Sequence, residues 1–352
     1  MQESDYYVFF SYSQGIGPKT FIKLLSYFKT AKNIYYASEE ELEKAGLKGK
    51  SLDKYLEFKS KFNLQEVLTE IKHKKIWVLA YSDFPESLRN ISNPPIVLYG
   101  RGDKDLLMHE NGIGIVGSRR PTSYGISVTK GFTRDLVESG ITIISGMALG
   151  VDAVAHRACM GAKGKTVAVL GSGVDVPTPS EHFNLYNEII TSSGAIVSEF
   201  PLGMMPNKGS FPARNRIIAG LSKAVLITEA TSDSGALITA KEAFSQGRKV
   251  YIVPGPITSN LSKGTNSLIN KGGIAVGSAE EIIKDLGNNV VKNKVSMEIS
   301  DPLLRLIQDE PRTTSELARI SKLSINEINS QLTDLELSGK IIHLNGKWEL
   351  LF

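Results

Sequence analysis

The sequence is poor in cysteine, with Cys159 alone among 352 residues. A single thiol excludes an internal disulfide and any zinc site built from several cysteines. Its apolar, helical surroundings favour a buried structural thiol over a nucleophile. Apolar runs are short as well, because none approaches the roughly 20 residues that span a bilayer. The acidic start of the chain lacks the basic region of a secretory signal. We therefore expect a cytoplasmic protein without a membrane partner.

The composition is otherwise that of an ordinary globular protein, with 41% apolar and 22% charged residues. A length of 352 residues exceeds a single typical domain, so two or three domains are expected. The formal net charge of +4 permits a polyanionic partner without requiring one.

Residues 1–75 have a helical pattern and carry 13 Lys against 10 Asp or Glu. Gly15 and Gly17 separate two apolar-periodic segments, and Gly46 and Gly49 form a weaker second copy of this turn. The pattern predicts a helical domain of the helix-hairpin-helix or SAM-like type. The pattern is compatible with a hairpin that contacts a nucleic-acid phosphate, and equally with a plain helical turn.

Residues 76–287 indicate an α/β domain. Its first part, 76–102, reads as strands separated by proline-bearing turns, a connector on the edge of the domain. From about 112 onwards, short β-branched strands alternate with helices, which predicts an extended Rossmann-like, doubly wound parallel sheet. Ligands of such sheets bind at the carboxyl ends of the strands.

The first strand of this pattern ends at a corner suited to phosphate. Gly117 and Ser118 supply a tight turn with backbone donors, and Arg119 and Arg120 add two guanidinium groups. Five further loops after strands are rich in Gly, Ser, Thr or Asn. Basic residues in these loops extend the predicted anion groove, namely Arg214, Arg216 and Lys263.

Two nucleotide-binding motifs are nearly present but have the wrong context. Gly112, Gly114 and Gly117 have the dinucleotide spacing, yet they lie within the strand rather than after it. Lys165 sits in a Walker-like triplet that precedes a strand instead of following one. An NAD enzyme and an NTPase are therefore disfavoured, and no catalytic residue, metal site or cofactor is assigned.

Four titratable residues keep an enzyme open as an alternative. Asp152 and His156 have the spacing of an acid–base pair on one helix face, although a tie between loop and helix explains them better. Glu199 and Glu229 end strands at the ligand edge, as in Rossmann-like proteins that bind or hydrolyse nucleotides.

The end of the chain predicts a linker at 288–300 and a compact winged helix at 301–352. The winged helix carries six Lys or Arg against eight Asp or Glu, and its recognition-helix position holds Glu327, Asp334 and Glu336 without a basic residue. Because phosphate binding requires cations, this module fits a protein–protein role better than DNA binding.

Five strings together closely resemble the DNA-processing protein A family (DprA, also called Smf). They are residues 117–119, 145–152 with 155–156, 166–171, 211–220, and 234–237 with 239–240. The resemblance runs through residues 76–287, and the helical start and the winged helix fit the same domain order.

The resemblance implies a non-catalytic protein that binds single-stranded DNA during natural transformation, protects it, and loads the RecA recombinase. It also implies a homodimer formed through the Rossmann-like domain, and double-stranded DNA is a further candidate partner. The family's phosphate pocket maps to Gly117, Ser118 and Arg119. Other family positions map to the string Arg214-Asn215-Arg216, to Lys208 and to Lys165. Phe211 fits a base-stacking role and a core aromatic equally well.

Overall fold

The computed structural model describes residues 1–287, 301–308, 310–338, 340–344 and 346–350. Two compact units are present, Met1–Val291 and Lys292–Phe352. The predicted linker at 288–300 lies outside the described residues. In the described part of the chain, no helix is both long and apolar enough to cross a membrane.

Short, buried strands build the sheet of the first unit. Every position of the five central strands is buried, as expected for parallel strands covered on both faces. The strands are β1 (Trp77–Ala80), β2 (Val97–Gly102), β3 (Gly112–Val116), β4 (Thr142–Ser145), β5 (Thr166–Val169), β6 (Ala195–Ser198), β7 (Ala224–Ile227), β8 (Lys249–Ile252) and β9 (Ile274–Ala275). Within residues 1–287 these nine strands form one sheet in the order β1-β2-β6-β5-β4-β3-β7-β8-β9.

The predicted doubly wound sheet is confirmed. Strands β3 to β9 run parallel, while β1 and β2 add antiparallel strands beyond β6. The connector at 76–102 is thus part of the sheet itself. The chain builds outward from β3 through β4, β5 and β6, then returns to place β7 on the other side of β3. The junction of β3 and β7 is therefore the switch point at which such sheets bind ligands.

Helices cover both faces of this sheet, because side chains of a strand alternate between them. Ile113 and Ile115 pack in one cluster with Leu136, whereas Val116 packs in another with Ile217. The helices of this part are α7 (Glu86–Arg89), α8 (Ser123–Glu138), α9 (Val151–Gly161), α10 (Phe183–Thr191), α11 (Ser210–Leu221), α12 (Ala236–Ser245), α13 (Asn260–Ile269) and α14 (Ala279–Asp285).

The helical N-terminal region packs on the sheet through an aromatic core. Phe9 and Phe10 are fully buried among other rings, and Ser11 Oγ lies 2.5 Å from the Tyr99 hydroxyl on β2. Both predicted glycine turns join helices, α1 to α2 and α4 to α5. The helices are α1 (Glu3–Tyr12), α2 (Pro18–Phe28), α3 (Ala31–Tyr36), α4 (Glu39–Lys44), α5 (Lys50–Lys61) and α6 (Leu64–His73).

The second unit has the order of elements predicted for a winged helix. Its elements are α15 (Pro302–Gln308), α16 (Thr314–Ser321), α17 (Ile325–Leu337), β10 (Ile341–Leu344) and β11 (Lys347–Leu350). Leu317, Ile328 and Leu332 form part of its own hydrophobic core. The carboxylate of Glu327 accepts hydrogen bonds from the backbone and hydroxyl of Ser324 and so completes a capping box at the start of α17.

Candidate nucleic-acid interface

The loop after β3 is held in place by one buried carboxylate. Glu229 accepts hydrogen bonds from the Thr122 backbone N–H (2.8 Å) and the Thr122 hydroxyl (2.7 Å), and its carbonyl oxygen accepts one from Ser118 N–H (2.7 Å). Inside the loop, the Arg120 N–H donates to Ser118 Oγ at 3.1 Å. Glu229 is 3% exposed. These bonds give it a structural role, and they occupy the oxygens that a hydrolytic base would need.

Arg119 and Arg120 stand on this loop with their side chains in solvent. Among the described residues, neither guanidinium has a carboxylate within 4.0 Å. Arg119 lies over the ring of Phe211, with 5.8 Å between its Cζ and the ring centroid. The loop therefore presents two positive charges that are free to meet an anion.

Phe211 occupies the first turn of α11 and is half-buried. Its ring packs against Gly171, where a Cβ would come within 2.9 Å of the ring edge. Phe211 is thus fixed between the turn after β5 and the guanidinium of Arg119. The packing interpretation is confirmed in part by this contact, whereas base stacking stays a prediction for a ring that also lines a cavity.

Arg214 lies beneath this surface rather than on it, with only 4% exposure. Its Nη1 donates to the carbonyl oxygens of Gly146 (2.6 Å) and Val169, and its Nε donates to Asn215 Oδ1 at 3.1 Å. Burial lowers the pKa of the guanidinium to about 10, and the nearby Asp152 offsets part of that shift. Arg214 therefore remains charged at neutral pH, and it ties the ends of β4 and β5 to α11.

Arg216 points away from the loop and pairs with Glu199. Its Nη2 donates to Glu199 Oε2 at 2.6 Å, Nη1 binds the other carboxylate oxygen, and Nε donates to the carbonyl oxygen of Asn93 at 2.7 Å. The two side chains are 9% and 12% exposed. This bidentate pair links α11 to the end of β6, and it leaves Glu199 engaged in structure.

The carboxyl ends of β3 and β7 open into a cavity of about 890 Å³, called here the edge cavity. It lies at the switch point, where the sheet topology places a ligand. Eight of the predicted site residues line it, namely Gly117, Ser118, Arg119, Arg120, Lys208, Phe211, Arg214 and Asn215.

Three predicted site residues are not among those that line the edge cavity: Lys165, Arg216 and Lys263. Lys165 is exposed immediately before β5 and so lies at the amino edge of the sheet, opposite the cavity. Lys263 is exposed on α13. Their assignment to DNA binding stays a prediction of the sequence.

A further polar side of the edge cavity lies outside the predicted site residues. It is lined by Thr231, Asp233, Ser234 and Thr239 together with Asn207. The sequence signal for this side is the polar loop that follows β7, which the strand–helix alternation places at the ligand edge. These groups come from the loop before α11, from the loop after β7 and from α12, so only the tertiary structure gathers them.

The suggested acid–base pair of Asp152 and His156 does not form. The Asp152 carboxylate accepts the N–H groups of Gly146 (3.1 Å) and Ala148 (3.3 Å), which confirms a tie between loop and helix. The His156 Nδ1 lies 2.7 Å from Thr166 Oγ1, whose own proton is donated to the Ile143 carbonyl. Nδ1 therefore carries the proton. Burial lowers the pKa of His156 to about 3, so the imidazole is neutral and structural.

Two family models match the chain over most of its length. A family model described as DNA recombination-mediator protein A matches residues 75–287, and one described as DprA winged helix domain matches residues 297–347. The chain belongs to the DNA recombination-mediator protein A family. The recombination-mediator function expected from the resemblance is thereby confirmed, and the family is not one of known enzymes.

Relatives of this family resemble the chain over most of its length. The protein Smf of Synechocystis sp. is 33% identical, with 96% of each chain aligned. The crystal structure of DprA from Streptococcus pneumoniae covers 80% of this chain and 97% of its own, with a TM-score of 0.71 and 30% identity. A DprA structure from Helicobacter pylori, titled for its single-stranded DNA binding mode, covers 60% of this chain and 95% of its own at 32% identity and a TM-score of 0.55.

Proposed function

We propose that this recombination mediator binds single-stranded DNA in the edge cavity and transfers it to a RecA recombinase without catalysing a reaction. The observation that carries the proposal is the row of cations at the cavity mouth. Arg119, Arg120 and Lys208 are exposed there beside Phe211. Cations that track a backbone and an aromatic face for bases are the recurring elements of single-strand sites.

The division of roles within the cavity follows from burial. The exposed Arg119, Arg120 and Lys208 neutralise phosphates, whereas the buried Arg214 holds the floor and contributes a fixed positive charge. Gly117 and Ser118 shape the turn, and Asn215 bonds Arg214. The family resemblance adds four further points to this proposal. The protein protects incoming DNA during natural transformation, acts in the cytoplasm, works as a homodimer, and passes the DNA to RecA.

Salt dependence tests the proposal against a nucleotide pocket. A fluorescent oligothymidine and a labelled mononucleotide are titrated with the protein at several salt concentrations. Each phosphate neutralised on a single strand contributes about −0.7 to the slope of log affinity against log salt, so three cations predict a slope of about −2 for the oligomer. Tight binding of the mononucleotide alone, with a shallow salt dependence, would contradict the proposal and favour the nucleotide-binding alternative.

The winged helix should contribute little to single-strand binding. It carries six Lys or Arg against eight Asp or Glu, so it brings no net positive charge to a phosphate backbone. A chain truncated after residue 287 should therefore retain oligothymidine affinity within about threefold, measured by fluorescence anisotropy. Circular dichroism of the truncated chain serves as the folding control. Loss of nearly all binding in a folded truncated chain would assign the DNA contact to the winged helix instead.

A further inference from the structure

A separate cavity of about 770 Å³ lies on the other side of the loop that carries Arg119. This cavity is called the Tyr124 groove, and its lining includes Thr122, Tyr124, Glu229, Pro254, Pro256, Ser259 and Ser262. It opens where β8 ends and α8 begins, next to the carboxyl end of β7. The turn at 254–256 begins one of the loops of the predicted anion groove, whereas Tyr124 is not among the predicted site residues.

One loop separates the two cavities. Residues 117–120 line the edge cavity, and two positions later Thr122 lines the Tyr124 groove. Glu229 fixes the loop from below through its bonds to Ser118 and Thr122. The exposed Arg119 and Arg120 therefore stand on a ridge between two openings on one edge of the sheet.

The Tyr124 groove combines an exposed aromatic ring with several hydroxyl groups. Tyr124 is 49% exposed, and its hydroxyl donates to the Pro254 carbonyl at 3.3 Å, which holds the ring beside the two prolines. Ser259 and Ser262 add hydroxyl groups. Glu229 also lines the groove, but it is 3% exposed and both of its carboxylate oxygens accept hydrogen bonds from Thr122.

The opposite wall of the groove is rigid before any ligand arrives. Asn266 clamps Gly255 on both sides, because its Oδ1 accepts the Gly255 N–H (3.2 Å) and its Nδ2 donates to the Gly255 carbonyl (2.9 Å). A Cβ at position 255 would lie 2.1 Å from Ser262 Oγ, so the turn requires glycine there. A wall fixed in this way favours binding, since little entropy is lost when a ligand is held.

We infer that the Tyr124 groove is a second nucleotide subsite, into which the strand held in the edge cavity continues across Arg119 and Arg120, with a base stacked on Tyr124. This inference rests on the proposed function and adds the course of the strand to it. Aromatic stacking suits a site of this kind, because every base offers a π-face and no sequence needs to be read.

Tyrosine variants of the full-length protein test the inference by fluorescence anisotropy with a long oligothymidine, of about 12 nucleotides, and with one of about 4 nucleotides. Tyr124→Ala should weaken binding of the long oligomer about tenfold, which is the scale of one lost base stack, and should affect the short one less. Tyr124→Phe keeps the ring and should stay near wild type. Tyr27→Ala, which removes a 55% exposed ring from the N-terminal region, is the matched control.

The outcomes separate the two proposals. If Tyr124→Ala binds the long oligomer like wild type while Arg119→Ala does not, the second subsite is wrong and the edge cavity stands. If wild type fails to bind either oligomer, the proposed function itself fails. Analytical sedimentation of the same variants tests whether the groove instead contacts a second copy of the protein. Weaker self-association of Tyr124→Ala with unchanged DNA affinity would assign the groove to that contact and overturn the inference.

Discussion

Replacement of Arg119 by alanine should weaken oligothymidine binding by more than about tenfold, the scale of one lost charge-assisted contact. Arg119 is exposed at the mouth of the edge cavity and lies over Phe211, and no carboxylate among the described residues competes for it within 4.0 Å. The slope of log affinity against log salt should fall by about 0.7, because one phosphate loses its counter-charge. Fluorescence anisotropy at several salt concentrations measures both effects.

The matched control removes one positive charge from the other edge of the sheet. Lys223 is exposed immediately before β7, at the amino end of the strands, so Lys223→Ala should leave affinity near the wild-type value. Thermal unfolding of Arg119→Ala should also resemble wild type, because an exposed loop side chain supports little of the fold. Equal affinity of Arg119→Ala and wild type at physiological salt would remove the phosphate site from this loop.

Loss of either partner of the Glu199–Arg216 pair should lower the free energy of unfolding by about 3–5 kcal/mol. The side chains are 12% and 9% exposed, so Glu199→Gln or Arg216→Met leaves a nearly buried charge without its counter-ion. The Arg216→Met change also removes the hydrogen bond to the Asn93 carbonyl oxygen. The double variant Glu199→Gln/Arg216→Met should be more stable than the sum of the single losses predicts, as chemical denaturation can measure.

The exposed pair of Lys61 and Glu57 provides the comparison, since its side chains are 72% and 67% exposed. Glu57→Gln should leave unfolding without a measurable change, because exposed ion pairs contribute little. Oligothymidine affinity of the same variants is a second measurement, and a change in stability alone should not alter it. A folded Arg216→Met variant should bind like wild type, and a marked loss would instead place Arg216 among the DNA contacts, as the sequence predicts.

The alternation of strands and helices was predictable because burial on both faces of a parallel sheet requires short, continuous apolar and β-branched runs. The phosphate corner was readable for a similar reason, since Gly117, Ser118, Arg119 and Arg120 are consecutive in sequence. The pairing of the connector strands was harder to predict from the sequence. Nothing local in residues 76–102 shows that β2 pairs antiparallel with β6, which lies about a hundred residues later and is joined to it through hydrogen bonds.

The sequence by itself determined the family, the sheet class and the position of the ligand edge, because each depends on local patterns or contiguous motifs. Only the tertiary structure decided what each charged residue does. Arg214 and Arg216 are two positions apart, yet one is buried under the loop ends of β4 and β5 and the other pairs with Glu199. Positions two residues apart on a helix point in different directions, so the two arginines contact different neighbours and have different roles. The sequence gives the charge of each residue, whereas its burial and its hydrogen-bond or ion-pair partners depend on the folded chain.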